Sequence, residues 1–260
     1  MREAGRAESR NLLIRAEAPP QKVKLLSASC QVAIIAALER EVWPFVKDWP
    51  TVHRAFDGRD FRFFEKEGAV VACSGIGADA ARRTAEAAIN LYHPLVVISA
   101  GFAGALNPEF EVGHTFTARH VIDALDGSRS DSGRGHGVLI SFADVADIEQ
   151  KARLGEAYGA DAVDMEAAAV ARSAAAHGIR FLACKVISDT SRTALPPITR
   201  FVGNDGRFHL WKFVFYVAAR PWLWAKVRKL ATDSARAASK LCAALASASR
   251  EHMTEQVLSK

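Results

Sequence analysis

The chain has 260 residues, of which 50% are hydrophobic and 24% charged, and its formal net charge is +5. This length and composition exclude a disordered polypeptide and suit one large domain with a full apolar core. No apolar run reaches the roughly 18 to 20 residues of a membrane span, and residues 1–29 lack the apolar segment of a secretory signal.

The positive charge is concentrated at the two ends of the chain. Residues 1–30 carry six basic and three acidic side chains (+3), residues 31–199 carry 17 and 22 (−5), and residues 200–260 carry 11 and four (+7). Basic ends of this kind are most often solvated helix faces, so we expect no nucleic-acid partner.

Apolar segments of strand length and helix length alternate along the chain, which predicts the α/β fold class. Strands are expected at residues 31–37, 61–65, 69–73, 95–100, 115–122, 137–142 and 180–187. Helices are expected at residues 41–47, 78–91, 147–158 and 164–177, and again after 197 up to about 249. We expect a disordered or loosely attached extension over 1–29, a single domain over 30–249 and a C-terminal tail over 250–260.

Two stretches stand apart from this alternation. Residues 126–137 are polar and rich in glycine, which predicts a mobile loop. Residues 207–229 are rich in aromatic side chains and end in a basic segment. We expect this second stretch to pack over the functional site or in a dimer interface, and peripheral contact with an anionic membrane surface is the alternative.

The four cysteines, Cys30, Cys73, Cys184 and Cys242, are far apart and form no CxxC motif. Buried single thiols favour a reducing, cytoplasmic location. His114, His120 and His136 share a region, but no Cys or Glu partner stands at metal-ligand spacing. We therefore expect neither a metal ion nor an organic cofactor.

Two strand ends carry acidic side chains. Ser188 and Asp189 close the last strong apolar run, and Asp164, Met165 and Glu166 precede an alanine-rich helix. Open α/β sheets bind ligands at the carboxyl ends of their strands, so these positions predict a site with two separately placed carboxylates. Such a pair suits a general acid and an anchor for hydroxyl groups, although the same residues also suit helix caps.

Six segments, in this order, resemble the nucleoside phosphorylase and nucleosidase superfamily (purine phosphorylase family 1). The likeness is greatest to the methylthioadenosine/adenosylhomocysteine nucleosidases and spans roughly residues 31–245. The resemblance implies a three-layer α/β/α sandwich around a twisted mixed sheet, a homodimer, and cleavage of the N-glycosidic bond of a purine nucleoside. The segments are residues 33–42, 74–77, 101–106, 112–113, 163–169 and 186–189.

The resemblance also assigns roles to single residues. Asp189, oriented by Ser188, would protonate the leaving base, either because burial keeps it protonated or because it gains a proton during the reaction. Glu166 would accept hydrogen bonds from the ribose hydroxyls, and Met165 would pack against the ribose. Glu41 would guide and deprotonate the attacking water. Without the resemblance, these residues are explained as helix-terminal carboxylates and an ordinary core methionine.

The run from Glu39 through Arg40 to Glu41 leaves the position of the water-guiding carboxylate open by one or two residues. Arg40 is the candidate ligand for phosphate if the protein is a phosphorylase, because a guanidinium group binds oxyanions in a bidentate manner. Asp164 is expected to point away from the site, because successive residues of an extended segment face opposite sides.

Glycines mark two places where the backbone would approach a ligand. Gly77 belongs to a GxGxxA pattern, but no acidic residue follows about twenty positions later, so we expect a tight turn near the ligand instead of a dinucleotide site. Gly101 precedes Phe102, where the resembled families commonly carry a serine. Phe102 cannot donate that hydrogen bond, and would stack on a base or close the pocket.

The resulting hypothesis is hydrolysis of a purine nucleoside with a modified 5′ position, such as methylthioadenosine or adenosylhomocysteine. One alternative is a phosphate-dependent phosphorylase, with a lipid-linked adenosyl compound among its conceivable substrates. This alternative is weakened because no arginine stands just before residues 101–104, where bacterial purine phosphorylases place a phosphate ligand. A second alternative is a protein that binds a nucleoside without turnover. Phe102 motivates it, and so does the 126–137 segment, which is shorter than the corresponding segment of many members of the resembled family.

Overall fold

The computed structural model describes residues 30–195 and 224–255, together with residues 201, 203 and 216. Its strands are β1 (Val32–Ala36), β2 (Thr51–Phe56), β3 (Arg59–Lys66), β4 (Ala69–Cys73), β5 (Val96–Ala105), β6 (Thr115–Asp123), β7 (Arg129–Asp131), β8 (His136–Ser141), β9 (Ala162–Asp164) and β10 (Arg180–Asp189). Its helices are α1 (Glu39–Val46), α2 (Ala78–Tyr92), α3 (Ile148–Tyr158), α4 (Ala167–Ala176) and α5 (Trp224–Glu255).

The strands form one mixed sheet, in the order β2-β3-β4-β1-β5-β9-β8-β6-β10, with β7 beside β6. β5 pairs in parallel with β1 on one side, and also with β10, which in turn pairs antiparallel with β6. β5, β9, β8, β6 and β10 therefore close on themselves, while β1, β4, β3 and β2 extend outward. The predicted α/β class with a mixed sheet is confirmed, and the closed half is a feature that strand patterns alone do not predict.

The central strands are buried on both faces because they contain continuous apolar runs, with few polar residues among them. In β1, Ala33 and Ile35 join one core cluster, whereas Val32, Ile34 and Ala36 join the other. β5 and β10 divide between the two clusters in the same alternating way. α2 and α4 cover the first face and α1 and α5 cover the second, which gives three layers.

Local sequence fixes both ends of α3, a helix that borders the site. At its start, the Gln150 N–H donates to the Asp147 carboxylate at 2.8 Å, and the Asp147 N–H donates to the Gln150 side chain at 2.9 Å. At its end, Gly159 adopts a φ of 59°, a left-handed conformation that suits glycine. The buried face of this helix carries Lys151 and Leu154.

Residues 126–137 do not form the strand-free loop that their composition predicts. β7 lies within this stretch and pairs with β6, with Ser130 opposite Val121. A Cβ atom at Gly135 would fall 2.1 Å from the carbonyl oxygen of Thr117, so the turn lies directly against the sheet. None of residues 126–137, all of which the structure describes, lines the cavity presented below.

Other boundaries also differ from expectation. β2 is missing from the predicted strands because it is largely exposed and carries no apolar run. α5 continues to Glu255, beyond the expected boundary at residue 249, while the division into domain and tail stays a prediction.

Residues 1–29 and most of residues 207–229 lie outside the described part of the chain. Within the described part, no helix has the length and apolar character that crossing a bilayer requires.

Candidate active site

A cavity of about 480 Å³ opens at the carboxyl ends of β1, β5 and β10. Its lining comes from the start of α1, the end of β5, the connection from β9 to α4 and the end of β10, and α5 closes one side. Ligands bind at this edge of α/β sheets because parallel strands end there together. The expected site residues in this lining are Glu41, Phe102, Met165, Glu166, Ser188 and Asp189.

Asp189 lies at the end of β10 with only 3% of its surface exposed. The pairing of β10 with β5 shifts register between Ile187 and Asp189, which places Ser188 in a β-bulge. Because a bulge interrupts the alternation of side chains, both Ser188 and Asp189 reach the same cavity. The Ser188 hydroxyl donates to Asp189 Oδ1 at 2.7 Å and so helps to orient the carboxylate.

The other oxygen of Asp189 accepts a hydrogen bond from Nζ of Lys151, a residue of α3. The same Nζ donates to the carbonyl oxygens of Thr190 at 2.8 Å and Thr193 at 3.4 Å. Lys151 is 2% exposed, so its ammonium group is buried against these acceptors. Gly104 leaves room for the pair, since a Cβ atom there would fall 3.1 Å from Asp189 Oδ2 and 3.3 Å from Lys151 Cε.

Glu41 is buried at the start of α1, where its Oε2 accepts a hydrogen bond from the Leu38 N–H at 3.3 Å. Gly101 allows this position, because a Cβ atom there would fall 3.0 Å from Glu41 Oε2 and its φ of 148° disfavours other residues. Burial raises the pKa of Glu41 to about 7, against the lowering effects of the Leu38 hydrogen bond and the Lys185 charge. A carboxylate with this pKa is suited to accept a proton near neutral pH.

Glu166 precedes α4, and backbone N–H groups hold both of its oxygens. The Gly77 N–H donates to Oε1 at 2.9 Å, and the Met165 N–H donates to Oε2 at 3.3 Å. Burial and then the charge of Asp164 raise the pKa of Glu166 to about 7. Met165 lines the cavity beside it, whereas Gly77 and Gly101 lie behind the carboxylates that they position.

A second buried lysine, Lys185 of β10, lies among these carboxylates. It is 1% exposed, its Nζ lies 2.8 Å from Asp164 Oδ2, and it donates to the Ser99 hydroxyl at 3.1 Å. Burial alone would lower its pKa, but the charges of Asp164, Glu166 and Glu41 raise it. Lys185 therefore stays charged and faces three carboxyl groups.

Asp164 differs from the expectation that it points away from the site. Its carboxylate accepts hydrogen bonds from the Ser141 hydroxyl at 2.6 Å and from the Ala167 N–H at 2.9 Å, so it caps α4. It also forms the ion pair with Lys185. The residue therefore belongs to the buried charge cluster, where it raises the pKa of Glu166.

α5 gives the cavity an apolar wall that faces these charged groups. Phe102, which is partly buried at the end of β5, adds to it from the sheet. A ligand group that leaves water for this surface gains on the order of 25 cal/mol per Å² of apolar area. The apolar residues that α5 contributes are Val227, Leu230, Ala231, Ala235 and Ala238.

The charged lining suits a neutral attacking group better than an anion. Of the basic side chains described in the lining, Lys151 is bound to Asp189, and Arg40 is exposed. A phosphate ion that approached Glu41 would meet like charge at short range. In the described residues, no group of three or more His, Cys, Asp and Glu side chains is arranged to hold a metal ion.

Comparison with known families agrees with the segments noted in the sequence. The profile described as "Phosphorylase superfamily" matches residues 31–156 and 145–202, which contain every expected site residue. The chain belongs to the phosphorylase superfamily. The family resemblance carried by six short segments is thereby confirmed.

Individual relatives are nucleosidases and hydrolases. An aminodeoxyfutalosine nucleosidase of Campylobacter jejuni is 25% identical over an alignment that covers 54% of this chain and 77% of the relative. A futalosine hydrolase structure from Helicobacter pylori has a TM-score of 0.61 at 16% identity, covering 88% of this chain and 98% of the other. A 5′-methylthioadenosine/S-adenosylhomocysteine nucleosidase from Neisseria meningitidis, in complex with methylthio-immucillin-A, has a TM-score of 0.60 at 19% identity, covering 82% and 95%. These structural likenesses establish the fold.

Lys151 and Lys185 are the site residues that the sequence interpretation missed. Lys185 carries a signal, because a lysine within the apolar run of β10 is rarely buried without an acidic partner. Lys151 carries no such signal, since it stands in a helix with many polar residues and meets Asp189 only in the folded chain.

Proposed function

We propose that this chain hydrolyses the N-glycosidic bond of a purine nucleoside with an apolar group at its 5′ position. The observation that carries the proposal is the placement of two different carboxylate sites on one cavity. Asp189 lies against Gly104, and Glu41 lies against Gly101. These glycines are three residues apart in β5, about 10 Å at ~3.4 Å per residue, a separation on the scale of one nucleoside.

Each expected side chain has a task in this reaction. Negative charge builds on the base as its bond to the ribose breaks, and Asp189 donates the proton that relieves this charge. Glu166 accepts hydrogen bonds from the ribose hydroxyls, which strengthen as the sugar ring becomes positive, and Met165 packs against the ring. Glu41 accepts a proton from the attacking water, a role that its pKa of about 7 supports.

The negative charge around Glu41, the proposed water-guiding residue, favours hydrolysis over phosphorolysis. Among the described residues at this end of the cavity, the carboxyl groups of Glu41, Glu166 and Asp164 outnumber the cations Lys185 and Arg40, which disfavours a phosphate anion. The named activities of the relatives, nucleosidase and hydrolase, support the same choice. Arg40, which lines the cavity and is exposed, is the residue that keeps a phosphorylase as the second candidate.

The apolar wall of α5 supports a substrate with an apolar 5′ group. Methylthioadenosine and adenosylhomocysteine are candidates because structurally similar nucleosidases act on them. Aminodeoxyfutalosine is a third candidate, from the Campylobacter jejuni relative. A lipid-linked adenosyl compound is a fourth, and Phe102 with Leu230 would contact its apolar portion.

The test is to incubate the purified protein with these nucleosides, adenosine and inosine, with and without phosphate, and to measure free base by chromatography. Release that does not depend on phosphate supports the hydrolase. Release that requires phosphate supports the phosphorylase and directs attention to Arg40. Binding that stabilises the protein thermally, with no release from any substrate, would indicate a nucleoside-binding protein without turnover.

A homodimer and a cytoplasmic location also belong to the proposal. The family resemblance supports the dimer, and four free cysteines support a reducing compartment. Light scattering coupled to size-exclusion chromatography measures the oligomeric state. Vesicle co-sedimentation tests the alternative that residues 207–229 contact a membrane surface. Nucleic-acid binding assays test the expected lack of a nucleic-acid partner.

A further inference from the structure

Both oxygens of Asp189 are engaged before any substrate is present. Oδ1 accepts from the Ser188 hydroxyl at 2.7 Å, and Oδ2 accepts from Nζ of Lys151. Because both oxygens act as acceptors, a proton on Asp189 would have to displace one of these two donors. In this arrangement Asp189 has no proton of its own to give to a leaving base.

The hydrogen-bond partners of Lys151 suit it to pass a proton to Asp189. Its three N–H groups have three acceptors, namely Asp189 Oδ2 and the carbonyl oxygens of Thr190 and Thr193. If one proton moves to Asp189, the neutral amine keeps two N–H groups for the two carbonyls, and its nitrogen accepts from the new O–H. Both protonation states are therefore fully hydrogen-bonded, and the transfer leaves no buried polar group unpaired.

We propose that Lys151 is the proton source for the leaving base and acts through Asp189, so that the acid of this site is a lysine–carboxylate pair. This inference rests on the proposed hydrolysis. Lys151 is a positioning residue in this scheme, because it reaches the base only through the carboxylate.

The protons and electrons of the step balance. The bond between C1′ and N9 breaks, its electron pair moves to the base, and the base takes one proton from Asp189. Asp189 receives one proton from Nζ of Lys151, and its O–H then turns from Nζ to the base nitrogen that takes the proton. The water oxygen bonds to C1′, and its proton passes to Glu41. Exchange with solvent then returns a proton to Lys151 and removes one from Glu41.

Several other charged groups face the same cavity. Arg40 and Glu41 come from α1, Asp144 from the segment before α3, and Glu166 from the residue before α4. A pH profile would therefore mix their effects with those of the pair. A comparison of leaving groups at one pH isolates the acid, because only the leaving group's need for a proton changes.

The experiment measures kcat for a purine nucleoside and for 4-nitrophenyl β-ribofuranoside, whose phenolate leaves without a proton. For Lys151→Met, we expect kcat to fall by about 10² or more with the nucleoside and to stay near the wild-type value with the nitrophenyl riboside. Asp189→Asn should show the same selectivity. The double variant should lose no more than Asp189→Asn alone, because the two residues act as a unit.

Arg153→Met is the matched control, since Arg153 stands on the same helix with its side chain 68% exposed. It should leave both rates unchanged. Equal losses for both leaving groups in Lys151→Met would show a purely structural role and overturn the inference, as would nucleoside rates like those of the wild type. A wild-type protein that cleaves no purine nucleoside contradicts the proposed function itself, and the inference with it.

Discussion

Two buried lysines lie at or behind the cavity, and they differ in the number of carboxyl groups around each. Lys151 binds one carboxylate, Asp189, and completes its contacts with two backbone carbonyls. Lys185 pairs with Asp164 and also feels the charges of Glu166 and Glu41. The first group of side chains is electrically balanced, and the second carries surplus negative charge.

This difference supports the proposal that one small cavity provides both an acid and a base. Where one ammonium meets one carboxylate, a proton can pass between them at no cost in net charge. Around Lys185, burial raises the pKa of Glu41 to about 7. Burial and then the charges of Asp164 and Glu41 raise the pKa of Glu166 to about 7 as well. These two carboxyl groups therefore titrate near neutral pH.

The largest expected effect comes from removing the charge of Lys185, which lies among Asp164, Glu166 and Glu41. Lys185→Met leaves Asp164 and its neighbours without their buried partner, and we expect the free energy of unfolding to fall by about 3–5 kcal/mol. Urea denaturation monitored by circular dichroism measures this change. The exposed Lys47→Met is the control and should change stability little. Equal stabilities of the two variants would refute the buried charge cluster.

Asp189→Asn breaks the first group while keeping its shape. The amide cannot donate an acidic proton, so we expect turnover to fall by about 10² or more with nucleoside binding retained. Steady-state kinetics and calorimetric titration of a substrate analogue measure the two quantities. Near-full activity in this variant would remove Asp189 from the role of acid.

The carboxyl groups around Lys185 predict a pH dependence of kcat that the Lys151–Asp189 pair does not predict. Because Glu41 must be ionised to accept a proton and burial raises its pKa to about 7, kcat should fall about tenfold per pH unit below that value. Glu41→Gln should lower kcat and remove this limb of the pH profile. Retention of the limb in the variant would assign it to another group, with Glu166 the next candidate.

The same raised pKa has a consequence for stability. Between the ordinary value of 4.5 and about 7, the folded chain binds more protons at Glu41 than the unfolded chain does. The stabilising contribution of protonated Glu41 is therefore complete below pH 4.5 and is lost as the pH rises through about 7. Thermal unfolding across this range should show a smaller loss in Glu41→Gln than in the wild type.

The smallest expected effect tests the apolar wall. Leu230→Asn places an amide where an apolar 5′ group would lie, and we expect KM for methylthioadenosine to rise about fivefold with little change for adenosine. The adjacent exposed Arg228→Asn is the matched control. Equal changes for both nucleosides would show that the wall does not contact the 5′ group.

The fold was largely predictable because its central strands contain continuous apolar runs and its helices have clear ends. β1, β5 and β10 could be found from such runs, and Gly159 and Gly178 mark helix ends by their left-handed conformations. The closed half of the sheet depends on β10 meeting both β5 and β6, a long-range pairing that local pattern does not encode.

The acidic residues of the candidate site were easier to foresee than its basic ones. Asp189 and Glu166 follow strand ends, where position in the chain indicates position in the fold. Lys151 lies 38 residues from Asp189 in sequence, and only the packing of α3 brings it to the carboxylate. The bulge at Ser188 was equally hidden, since it arises from a register shift against β5.

The residues that line the cavity come from two separate parts of the sequence, and the long C-terminal helix α5 is the second part. Every proposed chemical group lies within residues 31–202, the part that matches the superfamily, whereas the apolar wall comes from residues 227–238 beyond it. The proposed chemical groups and the apolar wall that would contact the substrate therefore come from separate stretches of the sequence. Mutations in the final helix can change which nucleoside fits without altering the groups that cut it, so selectivity can diverge in evolution while the chemistry stays constant.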